Sequence, residues 1–182
     1  LALACLIAIL AWPLRYLRRM ASGNRLNSLW AGTPIINMAT NAKAERLLGV
    51  NARSLVYTTY FITEAFDYDL SRWTRIPLIG RAVPLLVFIW ACIYADRLHF
   101  YCDRGILPSR GHFGFDYTEL YIYRILGIPV FLWTYGADIR NERTCREMGE
   151  PNCCTNCDRP GVYCVCDQTV AFRKMARLKS LS

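Results

Sequence analysis

The stretch Pro34 to Ile62, PIINMATNAKAERLLGVNARSLVYTTYFI, decides how this chain folds. It opens on an apolar run, PIINMA (Pro34 to Ala39), that follows Gly32 and has the character of a short strand. Thr40 and Asn41 then offer side-chain oxygens as helix N-caps for Ala42 to Leu48, and Gly49 ends that helix. Arg53 to Ile62, RSLVYTTYFI, is rich in β-branched and aromatic residues, which pack well on a pleated surface and predict a second buried strand. Strand, helix and strand make a βαβ unit with parallel pairing, because a crossover helix must carry the chain back.

Downstream the alternation continues. Asp67 to Arg81 is mixed and reads as loop, whereas Ala82 to Ala95, AVPLLVFIWACIYA, is apolar on every face and predicts a buried helix rather than a bilayer span. Leu98 to Cys102 reads as a third strand, followed by a loop through Asp103 to Gly114. Asp116 to Leu126 places Leu120, Ile122, Tyr123 and Leu126 at helical spacing, Gly127 closes it, and Ile128 to Thr134 reads as a fourth strand. The expected fold is α/β, a Rossmann-like, mostly parallel sheet with helices on both faces, plus a Cys-rich loop.

Composition fits a globular chain. Of 182 residues 54% are hydrophobic and 13% aromatic, which excludes disorder; 22 Lys plus Arg less 14 Asp plus Glu leave a net charge of +8. The expected organisation is an apolar and basic segment over 1–30, the Rossmann-like domain over 31–144, a Cys-rich loop over 145–167 and a basic helix over 168–182. The chain opens at Leu1 inside an apolar run to Trp12, as a fragment or processed product would, and that run is shorter than the roughly 20 residues of a membrane span. Arg15, Arg18 and Arg19 follow it, an arrangement that suits either the cytoplasmic flank of a truncated span or an interfacial helix. Packing against a further part of the chain is the other reading.

In a parallel sheet the ligand crevice lies at the carboxyl ends of the strands. The segments expected there carry Asn41, then Asp103 with His112 and Gly114, then Gly136, Asp138 and Arg140. Taken singly, Asn41 also reads as a cap, Gly136 as a turn residue and Asp138 with Arg140 as a surface pair. Neither a G-x-G-x-x-G fingerprint nor a G-x-x-x-x-G-K-S/T loop occurs, which disfavours a dehydrogenase or a nucleoside triphosphatase. A G-x-S-x-G elbow is absent as well, and two histidines give an acyl-transfer triad little to draw on.

The order strand, D-x-x-E-L (Asp116 to Leu120), apolar helix, Gly127, strand and YGADIR (Tyr135 to Arg140) resembles the amino-terminal half of GT-B glycosyltransferases of bacterial capsule and exopolysaccharide synthesis. The resemblance spans Pro34 to Arg140; Tyr135 and Ala137 stand where the family commonly has His and Ser. It implies the acceptor-binding half of an enzyme that moves sugar from a nucleotide-sugar to a glycan or lipid-linked acceptor. The donor would be held mainly by a further carboxyl-terminal domain, without which this half is inert. On that basis Asp138 or Asp103 is the candidate catalytic base, and Asn41, His112, Gly114, Gly136 and Arg140 are candidate acceptor contacts. Gly136 would let the backbone approach a sugar, and Arg140 would take a phosphate bidentately.

Six of nine cysteines lie between 145 and 166. Cys154-x2-Cys157 and Cys164-x-Cys166 give two close pairs, a tetrahedral thiolate set for structural zinc, with disulfides or free thiols as the alternatives. Basic blocks at Arg15 to Arg25, Arg72 to Arg81 and Arg173 to Lys179 suit an anionic membrane surface, hence the cytoplasmic face. A zinc-stapled basic module binding nucleic acid is the alternative. No nucleic acid is expected, because the aromatics fall in elements expected to be buried, leaving no base-stacking platform.

Overall fold

The computed structural model describes residues 2–23, 25–59, 65–101, 104–108, 116–134, 142–159 and 166–181. The chain divides into two compact units, 1–132 and 133–182. The first carries strands β1 (Asn27–Ala31), β2 (Asn51–Val56), β3 (Tyr68–Asp69), β4 (Arg97–Tyr101) and β5 (Val130–Trp133), with β5 running one residue past the boundary. They form one parallel sheet in the order β3-β2-β1-β4-β5, so the expected α/β Rossmann-like architecture is present.

The central strand is not where the apolar pattern put it. β1 is NSLWA, buried at all five positions, with Trp30 level with Ser54 on one side and His99 on the other. The PIINMA run instead enters helix α2 (Ile36–Leu47), with Ile35 as its extended cap. Met38 and Ala42, one turn apart, are fully buried against Trp30, Ala52 and Val56. A six-residue run with five apolar positions fits the first turn of a half-buried helix as well as a strand, and here the spacing of four decides.

β2 also stops short of the expected Ile62. It ends at Val56, where the two-residue β3 pairs beside Leu55 and Val56. Asp67, just ahead of β3, fixes the return: its Oδ2 accepts from the Ser54 amide and hydroxyl, each at 2.8 Å, and from Arg46 at 3.0 Å. Burial works against this carboxylate, but those hydrogen bonds outweigh it and lower its pKa.

The supposed loop over 67–81 holds β3, α3 (Ser71–Thr74) and the start of α4 (Pro77–Tyr94). Pro77 sits at the helix start, where its missing N–H costs nothing. α4 is not buried on every face as its composition implied. Val83, Phe88, Ala91 and Cys92 face inward, while Leu78 is 83% and Leu86 64% exposed. Inside, Phe88 meets Tyr123 of α5 (Tyr117–Ile125), which also packs on Phe100 of β4; α2 covers the opposite face with Trp30 and Tyr101.

Helix α1 (Ala2–Ser22) continues through Pro13, and its basic residues are partly spent inside the fold. Arg15 is buried and donates to the carbonyls of Cys92 and Ala95 at the end of α4. Arg18 and Arg19 reach Asp96 at 2.6 and 2.8 Å. Burial raises the pKa of Asp96, yet hydrogen bonds from Arg18, the Asn27 amide and Arg19 prevail and hold it at about 2. In Arg15 burial is the larger effect, and with Arg19 beside it the pKa falls to about 10.

The second unit carries α6 (Glu142–Glu147), a Cys-bearing loop and α7 (Gln168–Leu181), the expected basic helix. Paired Arg143–Glu147 and Arg146–Glu142 bridges run along α6, four residues apart.

Candidate functional site

The strand order reverses between β1 and β4, and the chain leaves both strands at the same edge of the sheet. Such a switch point opens a crevice between the departing loops. Here the loops touch: a Cβ on Gly32, just after β1, would lie 2.6 Å from the carbonyl oxygen of Arg104, just after β4. Gly32 also has φ of +107°, so no other residue fits that turn without strain.

Beside this contact lies a cavity of about 250 Å³ lined by Tyr57, Pro84, Arg104, Gly105, Ile106, Leu107 and Pro108. Tyr57 follows β2 and residues 104–108 follow β4, so the cavity belongs to the carboxyl edge. The Tyr57 hydroxyl is buried with no hydrogen-bond partner among the described residues. Burial, helped by Glu119, raises its pKa and keeps it neutral.

Glu119 braces the cavity wall from behind. It is fully buried, and its Oε2 accepts from the Ile106 amide at 3.0 Å, the Leu107 amide at 3.2 Å and the Tyr123 hydroxyl at 3.4 Å. Its Oε1 has no hydrogen-bond partner among the described residues and presses on Gly105, where a Cβ would lie only 1.6 Å away. Burial dominates the two amide hydrogen bonds and pushes its pKa up to about 8, which favours the neutral acid. The chemistry on offer is a pocket with an aromatic ring, a glycine-lined backbone and one guanidinium, that of Arg104.

Of the residues singled out in the sequence, Asn41 lies inside α2, half-buried and past its first turn, so the N-cap role expected of it falls to Ile35. Asp103, His112, Gly114, Gly136, Asp138 and Arg140 lie outside the described residues. Tyr57, Arg104, Gly105 and Glu119 carry the pocket instead. The D-x-x-E spacing was their one sequence signal: Asp116 does cap α5, accepting from the Thr118 amide at 2.9 Å. A capping-box Glu would reach back to that cap, whereas Glu119 turns inward.

In the second unit, the sulfurs of Cys145, Cys153 and Cys154 lie within 4.8 Å of one another, a group that could hold a metal ion. Cys153 and Cys154 stand 4.0 Å apart at sulfur. Desolvation and hydrogen bonds shared with Cys145 and Cys153 push the Cys154 thiol up in pKa. Of the four cysteines expected as ligands, Cys154 belongs to this group, Cys157 and Cys166 are described outside it, and Cys164 lies outside the described residues.

No family model, no curated protein and no solved structure matches this chain.

Proposed function

We propose that this chain is the acceptor-binding half of a glycosyltransferase that works at the cytoplasmic face of a membrane and adds sugar to a lipid-linked or glycan acceptor. The observation that carries the reading is the cavity at the carboxyl edge, beside the switch point of a parallel sheet. At about 250 Å³ it falls just under the roughly 300–1,000 Å³ of small-molecule pockets, a size for one sugar ring rather than a dinucleotide. In its lining, Arg104 suits the diphosphate of a lipid-linked acceptor. The family resemblance assigns Asp138 and Arg140 to the reaction, and both lie outside the described residues.

The outer face of α3 and α4 supports the membrane part. Trp73, Ile76, Leu78, Ile79, Leu85 and Leu86 are exposed, Arg72, Arg75 and Arg81 are interleaved, and no acidic residue occurs from 71 to 95. α4 is long and apolar enough to cross a membrane. Its inner face is nevertheless tied into the sheet unit, which favours lying in the interface. Structural zinc in the Cys-rich unit belongs to the same reading, as a folding device without chemistry.

The test is binding of a polyprenyl-diphosphate-linked sugar, presented in phosphatidylglycerol vesicles. Arg104→Ala should weaken acceptor binding several-fold while vesicle binding persists. Leu78→Glu with Leu86→Glu should abolish sedimentation with the vesicles. Sugar-independent binding, or tighter binding to oligonucleotide than to the acceptor, would refute the assignment.

A further inference from the structure

We propose that Cys145, Cys153 and Cys154 are three thiolate ligands of one tetrahedral zinc ion, which clips α6 to the loop that follows it. This rests on reading the second unit as a zinc site, but not on sugar transfer, and it differs from the pairing that cysteine spacing alone implies.

Four thiolates around zinc at about 2.3 Å stand about 3.8 Å apart at the corners of a tetrahedron. The 4.0 Å between the Cys153 and Cys154 sulfurs is close to that edge, and Cys145 completes a triangle whose sides stay within 4.8 Å. Closing those distances, by at most about 1 Å, is within reach of side-chain rotation. A disulfide would need a sulfur separation near 2.0 Å, a larger movement.

The backbone is arranged to hold this triangle. Two residues past α6 stands Gly149, whose φ is +89° and whose amide donates to the Arg146 carbonyl at 3.2 Å. Asn152 then builds the turn: its Oδ1 accepts from the Cys154 and Thr155 amides, both at 2.9 Å, and its Nδ2 donates to the Gly149 carbonyl at 3.0 Å. That turn presents Cys153 and Cys154 toward Cys145. Arg146 donates to the Cys154 carbonyl at 3.4 Å, bringing positive charge beside ligands that carry excess negative charge once zinc is bound. When zinc binds, each thiol passes its proton to solvent and a Zn–S bond forms; no electrons are exchanged.

Among the described residues, α6 and the loop after it bury no apolar side chain. α6 is six residues long with nothing buried, and Met148, the one large apolar residue between 142 and 159, is 74% exposed. A helix that short is marginal in water by itself. The fourth ligand comes from the same unit, where Cys157 and Cys166 are the other described thiols.

The chain, purified under reducing conditions, is loaded with zinc and assayed for metal content, then reloaded with cobalt(II) for its absorption spectrum. One zinc per chain is expected, with tetrahedral d–d bands and thiolate charge-transfer bands in the cobalt form. Cys145→Ser and Cys153→Ser should each weaken zinc at least ten-fold in competition with a chelator, and Asn152→Ala should weaken it less. Helicity that rises when zinc is added back to each variant separates loss of a ligand from failure to fold. Zinc kept at wild-type affinity by Cys145→Ser and Cys153→Ser, but lost on substituting Cys157 or Cys166, overturns the ligand set and leaves the zinc reading standing. No stoichiometric zinc at all overturns both.

Discussion

His99 lies face to face with Trp30 at the centre of the sheet, their rings 4.1 Å apart and 7° from parallel, and Phe131 closes the other side at 5.0 Å. The three residues come from the adjacent strands β1, β4 and β5, so the stack ties the middle of the sheet together on the face that α2 covers. Glu45 of α2 locks it from the edge: it accepts from the Trp30 indole at 2.9 Å and pairs with Arg97 at 2.8 Å. Burial lowers the His99 pKa to about 4, ahead of the opposing pull of Glu45.

A neutral buried histidine makes stability depend on pH with a definite sign. Between about 4 and the ordinary 6.5 the unfolded chain holds a proton on His99 that the folded chain does not, so stability falls as pH drops through that window. Urea melts of the wild type at intervals from pH 7 to 4 should show this slope. In His99→Phe, which keeps a flat aromatic ring in the stack, it should be much reduced. An equal slope in the variant would place the acid sensitivity elsewhere.

Glu119 acts in the opposite direction. Its pKa, raised to about 8, means that the folded chain keeps a proton the unfolded chain has lost from about 4.5 upward, so stability falls as pH rises through that interval. Glu119→Gln is permanently neutral and can still accept from the Ile106 and Leu107 amides. Its melts should lack the alkaline loss, so the variant gains on the wild type steadily toward pH 8. Parallel curves for the two proteins would show that the carboxyl is already ionised in the fold.

These buried groups also mark what could be read from the sequence. The parallel α/β architecture was legible, because the chain alternates apolar runs with helical spacing from Arg53 to Thr134. The first strand was not, since NSLWA has two bulky residues and its burial comes from neighbours on both sides rather than from its own pattern. PIINMA misled for the converse reason, being apolar through a loop and a helix start. Glu119 entered only as part of the D-x-x-E-L motif, and its burial and the packing of Gly105 against it show a buried acid. Cysteine spacing pointed to metal, but it gave no view of the Asn152 turn that draws Cys145 toward Cys153 and Cys154.

Asp96 holds α1 to the sheet. Asp96→Ala removes the counter-charge of Arg15, Arg18 and Arg19 and leaves the buried Arg15 without its carboxylate, a change that costs about 3–5 kcal/mol when a buried pair is broken. The expected signature is local as well as global. Trypsin should cut at Arg15, Arg18 or Arg19 far faster in the variant, and unfolding should begin at lower denaturant. Unchanged cleavage in α1 would mean that its packing on α4 suffices without the ion cluster.

The contact between Gly105 and Glu119 gives the sharpest steric test of the pocket wall. Gly105 is not in the left-handed region, so its need for a missing side chain is the contact alone: a Cβ there would sit 1.6 Å from Oε1 and 2.5 Å from the carboxyl carbon. Gly105→Ala should cost about 2–3 kcal/mol, because a buried carboxyl cannot swing away as a surface side chain would. Removing the obstacle should return part of that loss. The double variant Gly105→Ala with Glu119→Ala is expected to be more stable than the sum of the single losses predicts, by about 0.5–3 kcal/mol. Gly127→Ala is the control for backbone strain, since Gly127 has φ of +63° and open space where its Cβ would go. If the Gly105 and Glu119 losses add without coupling, the wall of the cavity is not held by this contact, and substitutions at Glu119 should then leave acceptor binding unchanged.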